Sequence, residues 1–133
     1  MSNIACSRNE SENQLVVATL GSFDSSFLFM LSKYAKVQSI DSSCGTMPDL
    51  YVVCLTDRVL ELAEACRRIE HSFPSAKFLY ITDLQTFRKY RNQIARCPTP
   101  NCLLTTSVNQ FLPKAITEVS KGLPFFDPDI ADF

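Results

Sequence analysis

The sequence predicts an α/β domain: a five-stranded parallel sheet with helices on both faces. Three observations predict it. Short apolar runs rich in Val, Ile and Leu alternate with longer stretches whose apolar residues recur every three to four positions. The connections are short, and parallel strands need helical crossovers between them. The chain has 133 residues, 46% of them hydrophobic, which suits one ordinary domain with a real core.

Residues 1–14 are polar and read as a flexible N-terminal arm. Leu15–Leu20 (LVVATL) is apolar and β-branched, a buried strand that Gly21 breaks. Asp24 is placed to cap a helix over Ser25–Ala35, with Phe27, Leu28, Leu31 and Ala35 on one face. Val37–Ile40 is a short second strand, and Asp41–Met47 is too polar to predict a helix. Leu50–Leu55 (LYVVCL) is the strongest buried strand. Asp57 opens and caps the next helix, whose stripe runs through Val59, Leu60, Leu62, Ala63, Cys66 and Ile69. Phe73-Pro74 ends it, because proline disfavours helix at the residue before it.

Lys77–Thr82 (KFLYIT) is the fourth strand. Leu84–Arg96 reads as one amphipathic helix through Leu84, Phe87, Tyr90 and Ile94. Its basic residues Arg88, Lys89, Arg91 and Arg96 read first as a solvated face, and second as a site for an acidic partner or a cyclic dinucleotide. Pro98-Thr-Pro100 is a rigid turn, and Asn101–Thr105 is the last strand. A final helix runs to Lys121 with Phe111, Leu112, Ala115, Ile116 and Val119 inward. Pro113 is expected in its first turn and Gly122 as its left-handed stop. The domain is therefore placed at 15–122. Residues 123–133 form a tail with Phe125-Phe126 and an Asp127-Pro128 turn.

Right-handed crossovers and five strands fit the flavodoxin-like order 2-1-3-4-5. Its crevice lies at the C-terminal ends of strands one and three. The rim then carries Thr19, Leu20, Cys54, Thr82 and Thr105.

Composition removes several function classes. A net charge of -1 gives no basic field for nucleic acid or membrane. No apolar run approaches the roughly 20 residues of a membrane span, and the N-terminus lacks a signal-peptide core, so a cytoplasmic location is expected. The six cysteines include no C-x-x-C pair, and His71 is the single histidine, so neither a metal site nor a cofactor is predicted. Only Gly21, Gly45 and Gly122 are present, too few for a phosphate-cradling loop. His71 ends a helix far from the rim, which leaves Ser/His/Asp catalysis without support.

Pro48-Asp-Leu-Tyr-Val-Val-Cys-Leu55 matches Pro-Asp-(apolar)4-Asp-Leu, the third-strand pattern of receiver domains, at every position but one. Pro74-Ser-Ala-Lys-Phe-Leu-Tyr-Ile-Thr82 is similar to their fourth strand, and Asn101-Cys-Leu-Leu-Thr105 stands where they have Gly-Tyr-Leu-Leu-Lys. Phe126-Asp-Pro-Asp-Ile-Ala131 is similar to the segment leading to the linker of the DNA-binding half. With one extra residue between Thr82 and Asn101, residues 15–133 resemble the receivers of NarL/LuxR-type response regulators. The resemblance implies a CheY-like fold, and an output domain beyond this chain that would carry any DNA binding.

The departures from that family imply a changed role. The two acidic positions after strand one, which hold magnesium in such receivers, read Thr19 and Leu20. The phosphoryl-accepting Asp is Cys54, and the strand-five Lys is Thr105. Only Thr82 of the usual site remains. Phosphoryl transfer needs an in-line nucleophile and stabilised oxyanions, and magnesium needs hard oxygen ligands. Asp57 and Asp83 lie near in sequence, but read as a helix cap and a loop residue. Cys54 as a redox sensor would need a nearby cation, and none is assigned to the rim.

The expectation is a non-catalytic, phosphorylation-independent regulatory domain. It would pair with a second copy or a partner protein through the Leu84–Arg96 helix, the last strand and the final helix. Tyr90, Arg91, Cys102 and Phe111 are the candidate contact residues, with no membrane partner. A stand-alone adaptor and a small-ligand sensor are the alternatives.

Overall fold

The computed structural model describes residues 15–39, 47–98 and 101–131. The expected N-terminal arm, Ile40 at the end of the second strand, most of the polar 41–47 connection and the Thr99-Pro100 part of the rigid turn lie outside the described residues. So do Cys6 and Cys44.

Five strands, β1 (Val16–Leu20), β2 (Lys36–Ser39), β3 (Leu50–Leu55), β4 (Phe78–Thr82) and β5 (Asn101–Leu104), form one sheet in the order β2-β1-β3-β4-β5. Every neighbouring pair is parallel, with Val17 opposite Leu50, Val52 opposite Leu79 and Ile81 opposite Leu103. The α/β class and strand order are those expected from the sequence.

Alternation along the strands builds two apolar layers. One holds Ala18, Leu20, Tyr51, Val53, Tyr80 and Cys102, covered by α2 (Val59–Ser72), α3 (Leu84–Lys89) and α4 (Arg91–Ala95). The other holds Val17, Leu50, Val52, Ile81 and Leu103, covered by α1 (Ser25–Ser32) and α5 (Val108–Ser120). All six residues of β3 are buried, because the strand lies between both layers. Among the described residues no helix is long and apolar enough to cross a membrane.

Helix ends follow local chemistry in some places and depart from the expectation in others. Asp24 caps α1 by accepting from the Phe27 N–H at 2.8 Å. Gly122, at φ +86, closes α5 in a Schellman motif, with Leu123 N–H donating to the Glu118 carbonyl and Gly122 N–H to that of Val119. Asp57, expected as the cap of α2, makes no cap. Arg58 occupies that position in a left-handed conformation (φ 48) without a side-chain cap bond. The expected single helix over Leu84–Arg96 breaks at Tyr90 into α3 and α4. Pro113 lies inside α5, beyond its first turn. The helix starts earlier because Val108 and Leu112 bury against the sheet, and the carbonyl a residue at 113 would have bonded belongs to exposed Asn109.

The segment after Gly122, expected as a tail outside the domain, is packed into it. Phe126 bridges to Cys102 in parallel, extending the open edge of β5. Asp127 N–H donates to the Cys102 carbonyl at 2.9 Å, and its buried carboxylate accepts from the Leu104 N–H at 2.9 Å. Asn101 Oδ1 accepts from the Phe125 N–H at 3.0 Å while its Nδ2 donates to the Phe78 carbonyl. Phe125 joins one layer and Ile130 the other, so this strap closes both around the β5 edge. Asp127-Pro128 is not a free turn. It starts α6 (Pro128–Ala131), with Asp127 Oδ1 accepting from the Asp129 N–H and Pro128 at the first helical position.

Replacing Asp127 by Ala leaves the buried Leu104 N–H without its acceptor. Urea unfolding should show a loss of about 1–3 kcal/mol. Asp129→Ala, at an exposed position, should stay within about 0.5 kcal/mol.

Candidate functional site

The crevice lies where the fold places it, at the C-terminal ends of β1 and β3, with β5 completing the rim. Gly21 makes it possible. At φ +91 it turns the chain out of β1, and a side-chain Cβ there would sit 3.0 Å from the Cys54 carbonyl oxygen.

The five rim positions are not equivalent. Cys54 and Thr105 both line a cavity of about 370 Å³. Leu20 instead belongs to the α2-side layer, and Thr19 is half-buried beside Val52. Thr82 is fully buried, and its hydroxyl donates to the Leu55 carbonyl at 2.7 Å. Thr105 is exposed and opens the 3-10 turn, Thr105–Ser107, that leads into α5.

Cys54 Sγ lies 3.4 Å from Thr56 Oγ1 in a hydrogen bond. Burial pushes the thiol above the ordinary range; the Thr56 bond opposes this, and the negative charges of Asp57 and Asp83 add to it. Such a thiol is protonated at neutral pH and is a poor nucleophile. Asp83, expected in a loop, caps α3, accepting from Thr86 N–H at 2.7 Å and from Thr86 Oγ1 at 2.9 Å. Asp57 is exposed. Among the described residues no group of three or more His, Cys, Asp or Glu is arranged to hold a metal ion.

The lining also includes residues that the sequence reading did not assign to a site. Phe23 and Phe27 stack with centroids 4.5 Å apart at 14°, and Met30, Ile81 and Val108 extend the apolar wall. The signal was present in the i, i+4 spacing of Phe23 and Phe27 beside the rim glycine. Only Phe27 was read, as part of the first helix's inward face; Phe23 precedes the Asp24 cap and lies outside that helix.

The other described thiols lie inside. Cys66, Cys97 and Cys102 are buried and unpaired, with Cys66 and Cys102 pushed up to about 12 by burial. Tyr80, buried beside them, donates to the Pro98 carbonyl at 2.7 Å.

Of the candidate contact residues, Arg91 is exposed and Tyr90 is half-buried against the α2-side layer. Phe111 packs on the opposite layer against Phe125, centroids 6.3 Å apart. Cys102 is fully buried and carries the strap, so it is not a surface residue.

The Cys54 environment makes a direct expectation. Alkylation by iodoacetamide, followed by peptide mass spectrometry, should be slower at pH 7.5 than for an unstructured cysteine. Its rate should still be rising above about pH 8.5, the ordinary thiol pKa.

No protein-family model matches the chain, and no curated protein sequence does. Solved structures do match in shape. The isolated REC domain of RcsB from Salmonella enterica serovar Typhimurium, in the apo form, superposes with a TM-score of 0.69 at 13% identity. The match covers 90% of this chain and 97% of that one. The inactive form of the regulatory domain from the repressor of iron transport regulator (RitR) gives a TM-score of 0.63 at 10% identity, over 84% and 99% of the respective chains. The chain therefore has the fold of a response-regulator receiver domain.

Proposed function

We propose that this domain is a pseudo-receiver: a non-catalytic regulatory module that works without phosphorylation. One observation carries the reading. The positions that would hold a phosphoryl group and its metal present Thr19, Leu20, Cys54 and Thr105, with no carboxylate and no cation among them. Asp83 is committed to its helix cap, which removes a neighbouring carboxylate as a substitute. In keeping with the sequence resemblance to NarL/LuxR-type receivers, the module would regulate a LuxR-type transcription factor. DNA contact would fall to a separate output domain, and the module would act through pairing or partner binding.

Incubation with acetyl phosphate and magnesium, read by intact-protein mass spectrometry, should leave the mass unchanged. A stoichiometric phosphoryl adduct at Asp57 or Asp83 would overturn the reading.

Pairing would use Tyr90 with the exposed Arg91 at its margin, together with Phe111 and the strap beside β5. Sedimentation of the unmodified protein at micromolar concentration should show a dimer. Arg91→Glu should weaken it by only about 0.2–1 kcal/mol, as marginal charges do. The strap itself favours a second reading, an adaptor that binds a different protein. The strap already covers the β5 edge and leaves Leu123 and Phe126 about half exposed, at 52% and 46%. A strict monomer in the same experiment would select it.

A further inference from the structure

The crevice has volume but, apart from Asp24, no charge among its lining residues. Its wall is the Phe23–Phe27 stack with Met30, a flat and polarisable surface suited to another ring. None of the residues lining it is Lys, Arg or His. The one charged group is Asp24, whose carboxylate also holds the Phe27 N–H. An anion entering here would meet a like charge and no compensating cation. On the β5 side, Thr105 and Asn109 offer an uncharged hydroxyl and an amide, and neither side chain has a hydrogen-bond partner among the described residues.

The other cavities are less suited. Those of about 310 and 200 Å³ flank Phe126, are bounded by the strap, and carry Lys77 or Arg91 at their edges. A fourth, over α2, is lined by Glu64, Arg67, Arg68, His71 and Ser72 of that one helix.

We infer that the crevice at the C-terminal ends of the strands binds a small uncharged aromatic molecule bearing one hydrogen-bonding group. The ring lies against Phe23, Phe27 and Met30, and the polar group faces Thr105 and Asn109. The inference rests on the reading that this crevice is not a phosphoryl site, and it supplies the ligand class that would use the space instead. The match is one of chemistry: most of the ligand's surface is apolar, and its single polar group meets uncharged donors and acceptors.

The test uses two probes of one shape, naphthalene-2-carboxamide and naphthalene-2-carboxylate, titrated into the full chain and followed by backbone amide NMR. The carboxamide should give saturable shifts confined to Ser22–Met30, Cys54–Thr56, Ile81 and Thr105–Asn109. The carboxylate should bind about tenfold more weakly or worse, a difference of about 1.4 kcal/mol. Met30→Trp should fill the space and abolish the shifts. Asn109→Lys, at an exposed position, should narrow the gap between the probes in favour of the carboxylate, and it reads the same site if the Trp variant fails to fold. Equal binding of the two probes, no saturation by the carboxamide, or shifts centred on Phe126 would overturn the inference. A parallel sample with acetyl phosphate and magnesium separates the two failures. A phosphoryl adduct there defeats the pseudo-receiver reading itself, whereas no adduct and no carboxamide binding defeats the ligand assignment alone.

Discussion

All six residues of the strand Leu50–Leu55 are buried, and the rest of the structure is arranged around that fact. Its side chains alternate between two apolar layers, and its ladder bonds run only to β1 and β4. A carboxylate at its end would need a cation or several donors to offset its desolvation. A thiol needs neither, and Cys54 sits at that point with a single weak partner, Thr56. Thr105 on the β5 side and Leu20 on the β1 side are likewise uncharged.

The sheet solves its edge problem unequally. The β2 edge is four residues long. The β5 edge is covered by the chain itself, through the bonds of Asn101 and Asp127 to backbone groups. A buried carboxylate is costly unless its oxygens are engaged, and both oxygens of Asp127 accept backbone N–H groups. Phe125 and Ile130, on opposite sides of the sheet, make the strap part of both layers. The protein therefore ends its core well after its last long helix.

Strands and layers were legible because their signal is simple: apolar alternation or continuous apolar runs, interrupted by Gly and Pro. The rim positions followed, since they lie at or just past the C-terminal ends of strands. Features set by backbone geometry were not legible. The period of Leu84, Phe87, Tyr90 and Ile94 continues unbroken through the Tyr90 kink, so pattern alone cannot see it. Asp57 is a good capping residue by type, yet Arg58, in a left-handed conformation, takes the cap position. Asp127-Pro128 reads equally as a turn or as a cap followed by a first helical residue. Only the burial of Ile130 decides between them. The aromatic wall of the crevice was hidden for the opposite reason: Phe27 was seen, and its helical spacing made it core.

The crevice and the strap are linked through β5. The 3-10 turn beginning at Thr105 borders the crevice, and the residue before it, Leu104, gives its N–H to Asp127 in the strap. Two residues earlier, Cys102 accepts from the Asp127 N–H. The short β5 strand thus joins the crevice to the strap through contiguous bonds. An occupant of the crevice shifts that arrangement only if it binds one position of the Thr105 turn better than another. Phosphate would draw such a difference from a cation and a metal, and the rim residues named here supply neither. An apolar occupant would draw it from packing against Val108 and the Phe23–Phe27 stack.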